Sequence, residues 1–275
     1  DGGAWRNYGG LGLTFGLTEK LGSRLGYSNT YYNYQDNGDG SISALLDRME
    51  HLATADLRWS FQPTVVGLVG YQYGYFDYSS NDQLWVTPIP DPAVPTGDSR
   101  NQESHYGFVG VDYTALPNLT AQLRAGVNYA SYPNADADNV TAPFVDAALA
   151  YEYMEGSKVG AGVKHDLRPT DVAIGMGDVD SFTVSQEATT VYAYLSHRIQ
   201  KLVGSLRGSW QSGSFEGGYY DGETDNFYTV DLNLSYEFTP NFAAEAGYAY
   251  DKLNSDLPLR EYDRNRFYMG VKATY

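Results

Sequence analysis

The 275-residue chain has no cysteine. A disulfide scaffold, a thiolate metal site and a catalytic thiol are therefore excluded. Basic residues are scarce, with 18 Lys and Arg against 34 Asp and Glu, a formal net charge of −16. That balance argues against nucleic acid as a partner, because binding phosphates takes clustered positive charge. Mean hydropathy is −0.43, and no apolar run reaches the roughly 18 residues a helical membrane span needs. Helical periodicity is nearly absent. The start, Asp1 to Trp5, has neither a basic nor an apolar leader region, so if the protein is exported its leader is expected to be missing already. The four histidines, His51, His105, His165 and His197, show no metal-ligand spacing. His105 follows Glu103 and Ser104, and a hydrogen-bonding role at a rim or in a lumen is preferred there to a catalytic one. No Gly-rich loop has the strand-to-helix setting that phosphate binding requires. Neither a metal nor a cofactor is implied, and the chain reads as a non-enzyme.

What is present is Tyr, at 26 residues, Gly at 30, and period-2 alternation almost everywhere. In residues 230–238, Val230, Leu232, Leu234, Tyr236 and Phe238 share one face, while Asp231, Asn233, Ser235 and Glu237 share the other. After Thr239, Pro240 and Asn241 the design repeats, with Phe242, Ala244, Ala246, Tyr248 and Tyr250 opposed to Glu245 and Asp251. Pro presets φ and Asn tolerates the left-handed region, so this is a tight turn. Further short turns fall near 18–20, 62–63, 116–118, 155–157 and 200–201. Long polar connections fall near 35–46, 79–101, 133–142, 169–186, 214–225 and 254–263, in strict alternation with the short ones.

About thirteen strands are expected, near 5–17, 21–34, 48–61, 64–78, 102–115, 119–131, 143–154, 158–168, 187–199, 202–213, 226–238, 242–253 and 264–275. The parity of short turns and long loops, with half-apolar strands, is that of an all-β transmembrane antiparallel up-and-down barrel with short periplasmic turns and long extracellular loops. Single-chain bacterial barrels have even strand numbers. The expectation is therefore about 14 strands (12 to 16) in one domain over residues 1–275, with an N-terminal strand ahead of residue 1.

The pleat assigns the faces. Lys272 faces hydrocarbon only at a cost of about 2–4 kcal/mol at the midplane. Hence Phe267, Met269, Val271, Ala273 and Tyr275 are expected to meet lipid. By the same test Leu119, Ala121, Leu123, Ala125 and Val127 point outward, as do Val159, Ala161, Val163, Ala55, Leu57 and Trp59. Residues 192–196 are ambiguous. Tyr71, Tyr73, Tyr75, Tyr151 and Tyr153 suit an interfacial aromatic girdle. The expected lumen carries Arg24, Arg58, Arg124, Lys164, Arg168, Arg207, Arg266 and Lys272, with Asp56, Asp112, Asp146, Glu152, Asp231, Glu237, Glu245 and Asp251. Two readings stay open for them: opposed ladders across a water-filled pore, or mutual neutralisation that plugs a narrow barrel.

The outer loops hold the acidic excess, at Asp36, Asp39, Asp82, Asp91, Asp98, Asp136, Asp138, Asp178, Asp180, Asp221, Glu223 and Asp225. This is read as a solvated surface, with cation enrichment or divalent-ion bridging to lipopolysaccharide as the sharper reading. Residues 84–95 form an apolar, Pro-rich loop, stiff enough to constrict the mouth or dock a neighbouring subunit.

An alternating C-terminal strand that ends in an aromatic residue resembles the assembly signal of outer-membrane β-barrel proteins. Here it is Phe267, Met269, Val271, Ala273 and Tyr275. Residues 104–113 (SHYGFVGVDY), 186–192 (QEATTVY), 233–238 (NLSYEF) and 262–271 (YDRNRFYMGV) are similar to the Putative beta-barrel porin 2 family. The resemblance covers most of residues 100–275 and implies a location, the bacterial cell outer membrane, and an architecture. With the pleat it leads to a porin-like channel for passive diffusion of small polar solutes or ions. The alternative is a structural or interaction barrel whose outer loops bind a partner or self-assemble. Expected partners are membrane lipid and lipopolysaccharide, the barrel assembly machinery through the C-terminal strand, and a further copy or another outer-membrane protein.

Overall fold

The computed structural model describes residues 3–86, 94–135, 137–172 and 183–273. The calls on Asp91, Asp136, Asp178, Asp180 and Tyr275 lie outside them. Thirteen strands form one sheet in chain order, each antiparallel to its neighbours. They are β1 (Ala4–Gly16), β2 (Leu21–Tyr34), β3 (Arg48–Gln62), β4 (Val65–Tyr78), β5 (Gln102–Leu116), β6 (Leu119–Ser131), β7 (Val140–Met154), β8 (Ser157–Pro169), β9 (Ser185–Ile199), β10 (Leu202–Glu216), β11 (Thr224–Thr239), β12 (Phe242–Ser255) and β13 (Tyr262–Ala273). Up-and-down order follows from the turns, since two-residue connections leave a strand no option but to pair with its predecessor. Among the described residues β1 and β13 each pair on one side only. The long connections also hold a short helix, α1 (Ile42–Leu46), capped by Ser41, and a 3₁₀ turn at Gly97–Arg100. Neither was visible in the period-2 pattern, because both sit in polar loops.

The cross-strand register sorts the side chains onto two faces without exception through the middle of the sheet. One face runs Leu57 to Val69, Val109, Ala125 and Val145. It continues through Leu195, Leu206, Leu232, Tyr248 and Phe267. Its side chains are open to the surroundings: Phe267 is 80% exposed, Met269 88% and Val271 77%. So large and continuous an apolar surface marks a chain whose solvent on that side is not water.

Aromatic residues border this apolar band. Trp59, Phe61, Tyr151, Tyr153, Tyr236 and Phe238 are exposed toward the short-turn end. Tyr27, Tyr71, Tyr129, Trp210 and Tyr228 are exposed toward the long-loop end. A membrane strand needs about 9–11 residues, and these strands have from 12 to 16. The surplus extends past the apolar band at the long-loop end, where the outer face turns polar at Glu187, Lys252 and Asp263. The fold is a transmembrane antiparallel up-and-down β-barrel.

Buried packing concentrates at the long-loop end. Leu84, Ala130, Tyr132, Ala142, Leu167 and Val184 form one cluster, with Leu45 and Trp85 against it. Val172, Phe215 and Leu257 form a second, joined by Tyr220. The described ends of the Pro-rich loop thus pack onto neighbouring loops, and Leu84 and Val94 are each 3% exposed.

Candidate functional site

The inner face carries the charge. Arg24 stands opposite Asp56 across β2 and β3. Arg124, Asp146 and Lys164 follow one another across β6, β7 and β8. Arg207 stands opposite Asp231, and Ala249 separates Asp231 from Arg266. Glu152 pairs with Lys158, Glu245 with Gly270, and Lys272 with Ala243. All of these positions, with Arg58, Asp112, Glu237 and Asp251, occupy the face opposite Phe267 and Val271.

Contacts follow diagonals more than rungs. Asp112 is the hub: one oxygen accepts from Arg58, and the other lies 2.7 Å from Arg124 Nη2. Arg58 also reaches toward Asp56, at 3.6 Å. Lys164 pairs with Asp166 at 2.5 Å instead of its rung partner Asp146, and Arg168 joins the same carboxylate at 2.6 Å. Toward the short turns Arg198 forms a bidentate pair with Glu237, at 2.7 and 2.8 Å. Beyond the midline Arg264 and Arg266 share Asp251, at 2.8 and 2.9 Å. Asp166, Arg198 and Arg264 are members that the sequence reading missed. Strand parity alone would have found Arg198, two and four residues beyond Ser196 and Tyr194 on the same face.

The ambiguous segment resolves cleanly. Tyr192 and Tyr194 face inward, while Val191, Ala193 and Leu195 face out. The reason is a pair of glycines on β8: a Cβ at Gly160 would strike the Tyr194 ring, and one at Gly162 the Tyr192 hydroxyl end. Glycine lets each ring lie flat on the wall. Arg207 sits over the Tyr192 ring at 5.1 Å, and Lys158 over Tyr194 at 5.9 Å. Below the packed loops the inner face lines two adjoining, partly open cavities of about 540 and 500 Å³. Arg24, Arg58 and Arg124 line both.

No histidine is in the lumen. Tyr27 Oη lies 2.8 Å from His51 Nδ1, Tyr71 Oη 2.6 Å from His105 Nδ1, and Tyr153 Oη 2.8 Å from His197 Nδ1. All six residues occupy outer-face positions. His105 is therefore a rim residue and not a lumen one. His165 meets Glu187 at 2.8 Å and Thr189 at 2.7 Å near the long-loop end.

The long-loop end is closed over by polar and apolar packing together. Arg100 is 3% exposed. It donates to the Leu45 carbonyl at 2.5 Å and to the Thr170 carbonyl, and lies 4.8 Å from the centre of the Tyr78 ring. Three loops thus meet on one guanidinium, whose pKa is lowered, chiefly by burial. Asp39 accepts from the Gln83 amide and Asp82 from the Gly38 amide, at 2.9 and 3.1 Å. The two loops are thus tied to one another through carboxylate-to-backbone bonds in both directions. Arg260 joins Asp171 at 2.6 Å to Asp225 at 2.9 Å. Burial opposes its charge, but the two carboxylates outweigh that and raise its pKa.

Solved structures that resemble the chain with TM-scores above one half include the following two. The copper transporter OprC matches at 14% identity and TM-score 0.55, over 98% of this chain and 52% of its own. The FrpB iron transporter from Neisseria meningitidis (F3-3 variant) matches at 12% identity and TM-score 0.53, over 91% of this chain and 44% of its own. At such identities the likeness is one of fold, and the chain spans about half the length of each. No curated protein matches. The family model described as Putative beta-barrel porin 2 matches residues 14–275. With its two-faced sheet, aromatic borders and charged interior, the chain belongs to the Putative beta-barrel porin 2 family.

Proposed function

We propose that the protein is a porin-like channel of the bacterial outer membrane that passes small polar solutes or ions by passive diffusion. The observation that carries this reading is the hollow, charged inner face. Its ion pairs run along the wall from Asp112, Asp166 and Asp251, and two adjoining cavities of about 500 Å³ and more remain inside. Wall-to-wall pairing that plugged the barrel would leave no such space. In this reading the sixteen charged positions expected in the lumen, from Arg24 to Lys272, line the pore. The outer face meets lipid and lipopolysaccharide. The outward row Phe267, Met269, Val271 and Ala273 on edge strand β13 serves as the assembly signal, read by the barrel assembly machinery.

Folded protein in a planar bilayer is expected to give stepwise ohmic currents. Absence of current from correctly folded protein would overturn the channel reading. One observation favours the alternative, a barrel that acts through its loops: the mouth is packed around Arg100 and Phe215. In that case the bilayer stays silent, and the outer loops bind a partner or a second copy.

A further inference from the structure

We infer that the paired cavities inside the barrel form a binding site for small carboxylates with a flat apolar body, so that this strongly acidic protein selects anions. The binding claim stands without the channel reading, whereas the selectivity claim rests on it.

Three guanidinium groups from three strands, Arg24 on β2, Arg58 on β3 and Arg124 on β6, line both cavities. The acidic residues lining either one are Asp56 and Asp112, so the count is three positive against two negative. Each oxygen of Asp112 accepts from a guanidinium, one from Arg58 and the other from Arg124, so its charge is compensated within the cluster. Asp112 holds the two guanidinium planes beside one another, each with N–H groups to spare, since a guanidinium has five. The Arg24 side chain makes no hydrogen bond or ion pair among the described residues, although Asp56 is its rung partner. A carboxylate is the ligand whose two oxygens fit such planar forks. The next charges along the wall, Asp146 and Lys164, are rung neighbours of opposite sign.

The remaining surface selects the body of the ligand. Tyr192 and Tyr194 line the larger cavity from β9, held flat against the wall by Gly162 and Gly160. Val66, Ala148 and Ala150 complete an apolar patch. Aromatic faces and small aliphatic groups beside a basic cluster suit an unsaturated or aromatic acid better than a sugar, which needs hydrogen-bonding groups all round. A volume of about 540 Å³ falls in the usual range for small-molecule sites, about 300–1,000 Å³.

The test uses the native protein folded in detergent, with benzoate as the probe and benzylamine as its charge-reversed counterpart. Calorimetry is expected to show benzoate binding, no benzylamine binding, and at least tenfold weaker benzoate binding in Arg24→Gln. Because Arg24 has no partner to lose, that variant should fold and melt like the parent. Equal binding of benzoate by parent and Arg24→Gln, or binding of benzylamine instead, overturns the inference. In a planar bilayer under a KCl gradient the reversal potential should have the sign of chloride preference, and Arg24→Glu should move it toward potassium. Cation-selective current from the parent also overturns the inference while leaving the channel reading intact. Silent bilayers with benzoate binding that Arg24→Gln weakens would instead sink the channel and leave the site standing.

Discussion

Ala147 and Ala148 are chemically identical neighbours with opposite surroundings. Ala147 pairs with Leu123 and Val163 on the apolar face, and Ala148 with Gln122 and Gly162 on the inner one. Both sit near the centre of β7. An arginine on the lipid side near the midplane costs about 2–4 kcal/mol, whereas one in the lumen can stay hydrated. Ala147→Arg is therefore expected to destabilise the barrel by that amount, and Ala148→Arg by well under half of it. Denaturant unfolding in phospholipid vesicles measures both, and equal losses would refute the face assignment. Tyr132 presents another contrast of surroundings. It lies beyond the end of β6 and is 4% exposed, and burial pushes its hydroxyl up to about 12. A raised pKa in a group that is neutral when buried stabilises the folded loops fully below pH 10 and is lost as pH rises toward 12. Ultraviolet titration should show one fewer late-ionising tyrosine in Tyr132→Phe than in the parent. The loop cluster around Leu84 and Leu167 should loosen in the same range, and Tyr132→Phe should remove that dependence.

Alternation made the strands legible: one rule, apolar on alternate positions, finds them, and their expected ends agree with the observed strands within a few residues. The extensions occur at the long-loop ends, where β7 begins at Val140, β9 at Ser185 and β11 at Thr224, ahead of the expected starts. There the strands leave the apolar band, so the alternation that reveals them fades although the ladder continues. The β7–β8 ladder is the exception, since its last rung toward that end is Val145 to His165 while β7 still pairs with β6 as far as Val140. Pro143 lies in the stretch that β8 leaves unpaired, where a missing N–H costs least. The loop cap was legible only in the apolar character of residues 84–95, whose described end Leu84 packs into it. Nothing in a polar stretch announces that Arg100 will be buried between the Leu45 and Thr170 carbonyls. Each buried acceptor stripped of its donor costs about 1–3 kcal/mol. Arg100→Met is thus expected to open the cap and leave the sheet intact. Limited proteolysis should cut within residues 35–47 and 79–101 faster than in the parent, while the heat-modifiable gel shift of the barrel persists. If the channel reading holds, conductance should rise.

At the scale of the whole molecule, a net charge of −16 and a basic cavity coexist because the two populations are spatially separated. Asp36, Asp39, Asp82, Asp221 and Glu223 lie in connections at one end, and Arg24, Arg58 and Arg124 project from strands into the interior. Composition reports the sum and hides this division, which is why the sequence suggested cations at the mouth and left the interior undecided. The face of most charged strand residues was readable from parity within each strand, as Lys272 fixed it for β13. The identity of the pairs was not, because long side chains reach diagonally to Asp112, Asp166 and Asp251 past their rung partners. The strand order has an evolutionary side. Among the described residues every strand in the sheet pairs only with the segments immediately before and after it in the chain. A hairpin of two strands can therefore be inserted or excised between any two long loops without reassigning a single remaining partner. The circumference of such a barrel is an adjustable quantity, changed two strands at a time by tandem duplication or loss, and with it the width of whatever it encloses.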